Sequence, residues 1–248
     1  MIKFFRGILV ILSFFIFGMG SLILGSIAFP IIHLTKRNKE ERLFSYSKLV
    51  YRSWNIFVKL ISYMKIIKVN IEDIEKLKNI QNSVIVATHP SYIDVLILIA
   101  LIPKTTCFAA ERLTRNIFMK NIVGAMFLTA AQPLDKLLDD AKYMLDIGFN
   151  VLIFPMGKRH HRNEFPKIRK GAAQIALNAD KNVVPIKLYT DINFLQENEP
   201  IYHAGNKIVI YDIKILDTII TSEFKQKYND EIVMKKELTK KIGNNLYY

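Results

Sequence analysis

The sequence predicts an α/β domain with a mostly parallel sheet flanked by helices, preceded by an N-terminal membrane helix or helical hairpin. Two observations predict this class. Beyond residue 66, short apolar runs of strand length alternate with helical patterns, which is typical of a parallel sheet with crossover helices. The chain also begins with a long uncharged apolar run. We therefore divide the 248 residues into 1–66, an anchor with a basic amphipathic helix, and 67–248, the α/β domain.

The individual elements follow from the spacing of apolar residues. Short apolar runs bounded by turn residues are predicted to be strands, and longer segments with helical spacing are predicted to be helices. The predicted strands are Ile67–Ile71, Val84–Thr88, Thr105–Ala109, Ala125–Thr129, Val151–Phe154, Val183–Leu188 and Lys207–Leu216. The predicted helices are Ser91–Leu101, Leu137–Ile147, Arg169–Asn178 and Ser222–Lys241.

The apolar run near the N-terminus is long enough to span a membrane. No residue from Gly7 to Thr35 is charged, and a bilayer core needs about 20 apolar residues as a helix. Pro30 is expected to kink or end this helix. The alternative is a helical hairpin lying partly in one leaflet, with its bend near Gly18, Gly20 and Gly25.

The charges that flank this run predict the side of the membrane on which the domain lies. Positively charged residues concentrate on the cytoplasmic side of membrane helices. More of them follow the run than precede it, which places the α/β domain on the cytoplasmic side: Lys36, Arg37, Lys39 and Arg42 against Lys3 and Arg6.

Residues 40–66 form the predicted basic amphipathic helix. Aromatic and aliphatic residues recur at helical spacing, with Arg42, Lys48, Arg52, Lys59 and Lys65 interspersed. Such a helix suits the anionic headgroups of a membrane. A helix that packs on the domain with a solvated basic face fits the pattern equally well.

The overall charge indicates which classes of molecule the protein could bind. A formal net charge of +13 and a pI of about 9.6 favour anionic partners: nucleic acid, a membrane surface or anionic small molecules. No nucleic-acid-binding motif is recognisable, so a membrane-tethered nucleic-acid binder is the weakest of these. Cys107 is the only cysteine, which excludes an intrachain disulfide and fits a reducing compartment.

A histidine and an aspartate lie where a predicted strand gives way to a predicted helix. Pro90 favours an extended backbone at His89, and Ser91 with Asp94 resembles a capping box. The two residues could simply mark the end of the strand and the start of the helix. They could also be a catalytic pair, because ligands of α/β sheets gather at the carboxyl ends of strands. A carboxylate on one ring nitrogen leaves the other nitrogen available as a base.

No serine or cysteine motif in the sequence suggests a nucleophile within the protein. The reaction expected of the pair is therefore direct attack by a substrate hydroxyl that His89 deprotonates.

A second candidate site is the segment Val151–Arg162, in which a strand runs into a turn and a basic cluster. Gly157 allows the backbone to turn or to approach a ligand closely. Arg159 is a candidate anion clamp, because its planar fork matches phosphate; a solvated basic loop is the alternative. A metal site at His160 and His161 is less favoured, because too few other ligands lie nearby.

A third feature lies at the start of the predicted helix that contains Gly171. Lys167, Arg169 and Lys170 precede it, and small residues follow. Basic residues at a helix N-terminus can hold an anion, but small residues on a helix more often indicate close packing on a sheet.

Taken in order, these motifs resemble those of the glycerolipid acyltransferases of the lysophosphatidate (1-acylglycerol-3-phosphate) acyltransferase family. That family has a membrane-associated helical segment, His-x4-Asp after a strand, a Gly-containing block ending in Arg, a Phe-Pro-Glu-Gly-Thr-Arg block and a Val-Pro-Ile-type strand. The resemblance covers about residues 7–189. The matching residues are His89, Asp94, Gly124, Phe154, Pro155, Gly157, Arg159, Gly171 and Val183–Leu188.

The resemblance implies a membrane-bound O-acyltransferase of phospholipid synthesis or remodelling. His89 is implied to be the general base and Asp94 its orienting partner. The family needs no metal or cofactor, takes acyl-CoA or acyl-carrier protein as co-substrate, and acts on membrane lipids; no nucleic acid is expected. The implied substrate-binding residues are Gly124, Phe154, Pro155, Met156, Gly157, Lys158 and Arg159.

Three positions depart from the family pattern and leave the acceptor open. Ala130 stands near the position of the second-block arginine, Met156 replaces the glutamate and Lys158 replaces the threonine. A methionine cannot accept a hydroxyl hydrogen bond as a carboxylate does. Lysophosphatidate is the default acceptor, and another lysolipid or a glycolipid is the alternative. A non-catalytic lipid-binding relative of the same scaffold is the rival from a different class.

Overall fold

The fold is described from a computed structural model of the chain, which describes residues 2–159, 167–195, 200, 202 and 205–247. The strands are β1 Ile67–Ile71, β2 Val84–Ala87, β3 Thr105–Ala109, β4 Leu128–Thr129, β5 Asn150–Ile153, β6 Val183–Thr190 and β7 Val209–Ile215. The α-helices are α1 Ile2–Ile23, α2 Phe29–Thr35, α3 Lys39–Tyr63, α4 Ile74–Lys78, α5 Asp94–Leu101, α6 Glu111–Thr114, α7 Lys120–Met126, α8 Leu134–Asp146, α9 Gly171–Ala179, α10 Thr221–Lys227 and α11 Glu231–Tyr247.

The described strands form one seven-stranded sheet in the order β1-β7-β6-β2-β5-β3-β4. Every pairing is parallel except that of β6 with β7. β2 lies at the centre, where Ile85 pairs with Leu152 of β5 and with Val184 of β6. The predicted fold class, a mostly parallel sheet flanked by helices, is confirmed.

Both faces of the sheet are buried, which explains why β2 consists of four consecutive apolar residues. Ile85 and Ala87 belong to the core on the face covered by α3 and α5. Val84 and Val86 belong to the core on the opposite face, covered by α8, α9 and α11. Because α5 lies between the sheet and α3, nearly all of its residues are apolar and buried.

One predicted strand was largely wrong. Ala125–Thr129 was expected to be extended, but α7 continues to Met126, and only Leu128–Thr129 pairs with β3. The reason is a buried stripe at helical spacing, formed by Ile122, Val123 and Met126. An apolar run this short does not distinguish a strand from a buried helical turn.

All four predicted helices have different limits in the structure: the one predicted over Leu137–Ile147 is α8, Leu134–Asp146, and the one predicted over Arg169–Asn178 is α9, Gly171–Ala179. The helix expected from Ser91 begins at Asp94, after a turn. The helix expected over Ser222–Lys241 is two helices, α10 and α11. Asp230 causes the break, because its side chain accepts hydrogen bonds from the backbone N–H groups of Ile232 and Val233 and so caps a new helix.

The N-terminal apolar segment is one continuous helical rod without a hairpin bend at its glycines. α1 passes into α2 through a π-helical turn, Leu24–Ala28, which contains Gly25. Pro30 is the second residue of α2. The chain reverses only after Thr35, so the hairpin consists of this rod and α3. Over Phe4–Thr35 the rod is long and apolar enough to cross a membrane, and an 18-residue window within it has a mean hydropathy of 2.5.

One face of this rod packs against α3, the residues after it and α7, from Arg6 to Phe29. Arg6 donates hydrogen bonds to the carbonyls of Lys65 and Ile66, at 2.9 and 3.3 Å. Gly25 faces Asn121 of α7 so closely that a side-chain carbon there would lie 2.7 Å from the Asn121 Cβ. The opposite face exposes large apolar side chains, among them Phe4, Phe5, Ile8, Ile11, Phe15, Ile23, Ile27 and Leu34.

Helix α3 packs on the domain and keeps its basic face outside. Val50, Trp54 and Ile61 are buried on its inner face, and Asn55 donates a hydrogen bond to the carbonyl of Ala100 in α5. The outer face exposes Lys48, Arg52 and Lys59. Two alternatives were predicted for this helix. The structure shows the contacts expected of the second, in which the helix packs on the domain and its basic face is exposed.

Candidate active site

The loops that follow four neighbouring strands meet at one edge of the sheet. Residues from the segments after β2, β3, β5 and β6 all line a single cavity of about 850 Å³. This is the edge at which open α/β sheets bind their ligands, since the carboxyl ends of parallel strands lie together there. Thr88 fixes the end of β2, because its hydroxyl donates to the Leu188 carbonyl and accepts from the Leu188 N–H, at 2.8 and 2.7 Å.

His89 and Asp94 form a close pair just after the carboxyl end of β2. The Nδ1 atom of His89 lies 2.8 Å from Oδ2 of Asp94. The same carboxylate oxygen accepts the backbone N–H of Ser91 at 2.7 Å, so Asp94 supplies the carboxylate half of the expected capping box. Asp94 is 0% exposed, whereas the His89 side chain is 16% exposed. The pair therefore joins a buried, fixed carboxylate to an imidazole at the cavity surface.

The imidazole of His89 is held in one orientation. The ring of Phe154, which follows β5, stacks on it with centroids 4.1 Å apart. An ionised carboxylate only accepts hydrogen bonds, so the Asp94 contact favours the tautomer with its proton on Nδ1. In that tautomer Nε2 carries a lone pair and can act as a base.

Apolar residues from the N-terminal rod and from α3 line one part of the cavity. Phe14 and Phe17 come from α1, and Trp54 and Phe57 come from α3. The rings of Phe17 and Phe57 lie 5.0 Å apart. The N-terminal segment is thus part of the wall of the site, and the cavity extends from the imidazole toward the apolar rod.

Cations line the cavity on the side of the loops after β3 and β5. They are Arg112, Lys158, Arg159 and Arg169. Arg159 is positioned by a hydrogen bond to the carbonyl of Leu195 at 3.1 Å and by the ring of Tyr92, 5.3 Å away. A polar, positively charged region beside an apolar one suits a ligand with a phosphate and a hydrocarbon chain.

The structure brings five of the seven proposed substrate-binding residues to the cavity: Phe154, Pro155, Gly157, Lys158 and Arg159. Met156 lies outside the cavity lining and is 3% exposed. Gly124 also lies outside the lining, on the exposed side of α7. His160, His161 and Arg162 lie outside the described residues.

Sequence reasoning missed Arg112. Ala130, where the expected arginine is absent, lines the same cavity as Arg112, which follows β3. Arg112 reaches the site because β3 pairs with β5, so that the carboxyl end of β3 lies at the same edge as Phe154. Arg112 belongs to none of the recognised motifs, and no pattern in the sequence shows this pairing.

Cys107 of β3 lines the cavity but is not poised as a nucleophile. Burial raises the pKa of its thiol to about 12, so the thiol remains protonated near neutral pH. Within the described part of the chain, no group of three or more His, Cys, Asp or Glu side chains is placed to hold a metal ion.

We predict that Gly157→Ala destabilises the protein, whereas Gly124→Ala does not. Gly157 has a φ of +75°, and a side-chain carbon there would lie 2.5 Å from Cζ of Arg169. Strain of this kind costs about 1–3 kcal/mol. Gly124 is helical with open space around it, so alanine there should stabilise the helix by up to about 1 kcal/mol. Thermal unfolding in detergent measures both; equal melting temperatures for the two variants would contradict the prediction.

Comparison with known proteins identifies the family. Residues 68–189 match the sequence model of the acyltransferase family. The human 1-acyl-sn-glycerol-3-phosphate acyltransferase beta is 23% identical over 175 residues, which cover 67% of this chain and 61% of the human one. A probable 1-acyl-sn-glycerol-3-phosphate acyltransferase of Mycoplasma genitalium is 23% identical over 199 residues, or 74% of this chain and 72% of that one. The chain thus spans about three fifths of the length of the human relative.

A solved structure shares the fold over almost the whole chain. The crystal structure of the 1-acyl-sn-glycerophosphate acyltransferase PlsC from Thermotoga maritima superposes with a TM-score of 0.69 at 16% identity. The match covers 98% of this chain and 97% of PlsC, so it includes the N-terminal rod. The segment from β1 to β6 therefore belongs to the acyltransferase family, and the structural match shows that the chain shares its fold with PlsC.

Proposed function

We propose that the chain is a membrane-bound O-acyltransferase that esterifies the hydroxyl of a lysophospholipid, with lysophosphatidate as the default acceptor. The acyl group comes from acyl-CoA or acyl-carrier protein. The observation that carries this proposal is the pairing of His89 Nδ1 with the buried Asp94 carboxylate at 2.8 Å, beside an apolar cavity lined by cations. The distant relatives bear names of enzymes that act on 1-acylglycerol-3-phosphate.

In the proposed mechanism His89 is the general base. Its Nε2 takes the proton of the acceptor hydroxyl as the oxygen attacks the carbonyl carbon of the thioester. The C–S bond of the resulting tetrahedral intermediate then breaks, and the imidazolium returns the proton to the departing thiolate. Asp94 stabilises the imidazolium and keeps the ring oriented, as the carboxylate of a catalytic triad does.

The two parts of the cavity have different proposed roles. The apolar part, with Phe14 and Trp54, accommodates the acyl chain. Arg112, Lys158 and Arg159 bind phosphate of the acceptor or donor. Since Met156 is buried away from the cavity, we assign it to packing of the loop rather than to contact with the acceptor, and we assign Gly124 no contact with substrate.

The N-terminal rod is proposed to lie in one leaflet of the membrane. A spanning helix would carry one of its ends away from the rest of the protein, but this rod contacts α3, the residues after it and α7 between Arg6 and Phe29. Its other face exposes large apolar side chains that suit the acyl region of a leaflet. Because α1 also lines the cavity, a lipid acceptor can enter without leaving the bilayer. We place the domain on the cytoplasmic side, following the flanking positive charges.

An acyl-transfer assay tests this function. The protein in lipid nanodiscs is incubated with labelled acyl-CoA or acyl-carrier protein and one acceptor at a time: lysophosphatidate, lysophosphatidylglycerol, lysophosphatidylcholine, monoacylglycerol or a glycolipid. We expect transfer to lysophosphatidate at least about tenfold faster than to monoacylglycerol, because one charge-assisted pair contributes about 1.5–3 kcal/mol. Preference for the glycolipid would show that the acceptor is a glycolipid rather than a lysophospholipid. Absence of transfer to every acceptor would refute the proposal.

A further inference from the structure

A buried tyrosine lies behind the His89–Asp94 pair, on the side away from the cavity. Tyr211 of β7, Ser91 and Asp94 are all fully buried. Oη of Tyr211, Oγ of Ser91 and Oδ1 of Asp94 are each inaccessible to solvent. Tyr211 lies outside residues 68–189, the segment that matches the family, and it was not a candidate from the sequence.

The antiparallel pairing of β7 places this tyrosine under the start of α5. Tyr211 pairs with Thr190 at the end of β6 that lies beside the site. Its side chain belongs to the same core as Ile93, which precedes Asp94, and Ile97, which lies one helical turn after it. Tyr211 therefore lies on the side of the sheet, whereas His89 belongs to the loop after β2.

The phenol is a neutral dipole held against a charge. Burial raises the pKa of Tyr211 well above its usual value, and the nearby Asp94 carboxylate raises it further. Because the raised pKa favours the protonated form, the hydroxyl keeps its proton near neutral pH. The contacts do not have ideal hydrogen-bond geometry, so the interaction with Asp94 is mainly between a charge and a dipole.

A buried carboxylate needs such dipoles to remain charged. Oδ2 of Asp94 interacts with the Ser91 N–H and with His89. Oδ1 is equally buried, and the phenol beside this carboxylate offers a proton that can be directed at it. Support for both oxygens fixes the plane of the carboxylate, and this plane decides where Nδ1 of His89 is held.

We propose that Tyr211 is a positioning residue of the acyltransferase: its phenol orients the Asp94 carboxylate and stabilises its charge, and Asp94 in turn holds His89 as a base. The proposal rests on the proposed function of the pair. It adds a third member, supplied by the antiparallel strand β7, that does not line the cavity.

Other titratable and charged groups also face the pair or its cavity, and they remain unchanged in the test. They are Tyr92 from the turn after β2, Cys107 from β3, Arg112 from α6, Lys158 and Arg159 from the loop after β5, and Arg169 before α9. A change in pH dependence that is confined to a Tyr211 variant therefore reports on Tyr211.

Tyr211→Phe tests the proposal, because it removes only the hydroxyl. We expect kcat/KM for acyl transfer to fall about tenfold, since interactions with a charged group are worth about 1.5–3 kcal/mol and part of that is transmitted to the base. Losing a dipole disfavours the carboxylate charge, so the pair binds a proton at higher pH. The acidic limb of the pH profile should therefore move upward by about half a unit or more.

The matched control is Tyr46→Phe. Tyr46 is also buried, but its hydroxyl is directed at the Phe29 carbonyl in the N-terminal rod. This variant should have the native kcat/KM and the native acidic limb. Both variants should unfold within a few degrees of the native protein.

A second readout does not depend on turnover. Diethyl pyrocarbonate modifies neutral imidazole, and peptide mass spectrometry follows His89 separately from the other histidines. The pH at which His89 reacts at half its maximal rate should rise by about half a unit in Tyr211→Phe and stay unchanged in Tyr46→Phe.

Three results overturn the proposal. The first is a Tyr211→Phe variant with native kcat/KM and a native acidic limb. The second is a loss of activity with a lower unfolding temperature and no movement of the limb, because packing alone would produce it. The third is unchanged pH dependence of His89 modification. An inactive native protein refutes the proposed function instead, and the modification experiment still decides the role of Tyr211.

Discussion

Replacing His89 with alanine should lower kcat/KM for acyl transfer by about 10³- to 10⁴-fold, at the upper end of what a positioned general base contributes. The acceptor hydroxyl is a poor nucleophile until it loses its proton, and in the described part of the cavity lining no second histidine or carboxylate is placed to accept it. Binding should change much less, because His89 contributes only one partly exposed ring to the cavity. Steady-state kinetics with lysophosphatidate and labelled acyl donor separate kcat from KM.

His33→Ala is the matched control for this variant. His33 lies in the last turn of α2, exposed, and does not line the cavity. The His33 variant should keep native kcat and KM in the same nanodiscs. His89→Gln adds a second comparison, because glutamine remains polar but cannot accept the proton; it should be as inactive as alanine. Native turnover by either His89 variant would remove His89 from the proposed mechanism.

The sequence predicted the sheet well because local pattern decides most of it. β1 and β3 have the predicted limits, and β2, β5 and β6 differ by no more than two residues at either end. A strand buried on both faces has consecutive apolar residues, as β2 does, and the short length of this run between turn residues favours a strand. Where the run was ambiguous, at Ala125–Thr129, tertiary packing of α7 decided the outcome.

The position of the His89–Asp94 pair also followed from local pattern, but its surroundings did not. A strand end, a proline and a helix start bring the two residues together within six positions of sequence. Arg112 and Tyr211 reach the site through the order of strands in the sheet, with β3 beside β5 and β7 antiparallel to β6. No periodicity in a single sequence encodes that order.

The orientation of side chains within a motif was another limit. Phe154, Pro155, Met156 and Gly157 are adjacent, yet three of them line the cavity and Met156 is directed into the protein. The turn at Gly157, with its positive φ, and its tight contact with Arg169 determine this arrangement. A residue-by-residue comparison with a family motif does not reveal which side chain a turn buries.

Asp94→Asn should abolish most activity while leaving the fold intact, with a fall in kcat of about 100-fold, the loss expected when an interaction of about 3 kcal/mol with a charged group is removed. The Ser91 N–H and Nδ1 of His89 both contact the same carboxylate oxygen, Oδ2. The amide oxygen of asparagine at that position can accept both hydrogen bonds, which preserves the local fold and the tautomer of His89. A neutral amide has no charge with which to stabilise the imidazolium that forms when His89 takes the proton of the acceptor hydroxyl.

Asp94→Ala is the comparison that separates this chemistry from stability. It leaves the Ser91 N–H buried without its carboxylate acceptor, which costs about 1–3 kcal/mol, and it removes a negative charge from the N-terminus of α5, worth about 0.3–1 kcal/mol more. The alanine variant should therefore unfold several degrees lower than the asparagine variant although both are nearly inactive. Kinetics and thermal unfolding of the two variants test this together. An active asparagine variant would show that the carboxylate acts only as a helix cap, because in that case a neutral acceptor at position 94 would be sufficient.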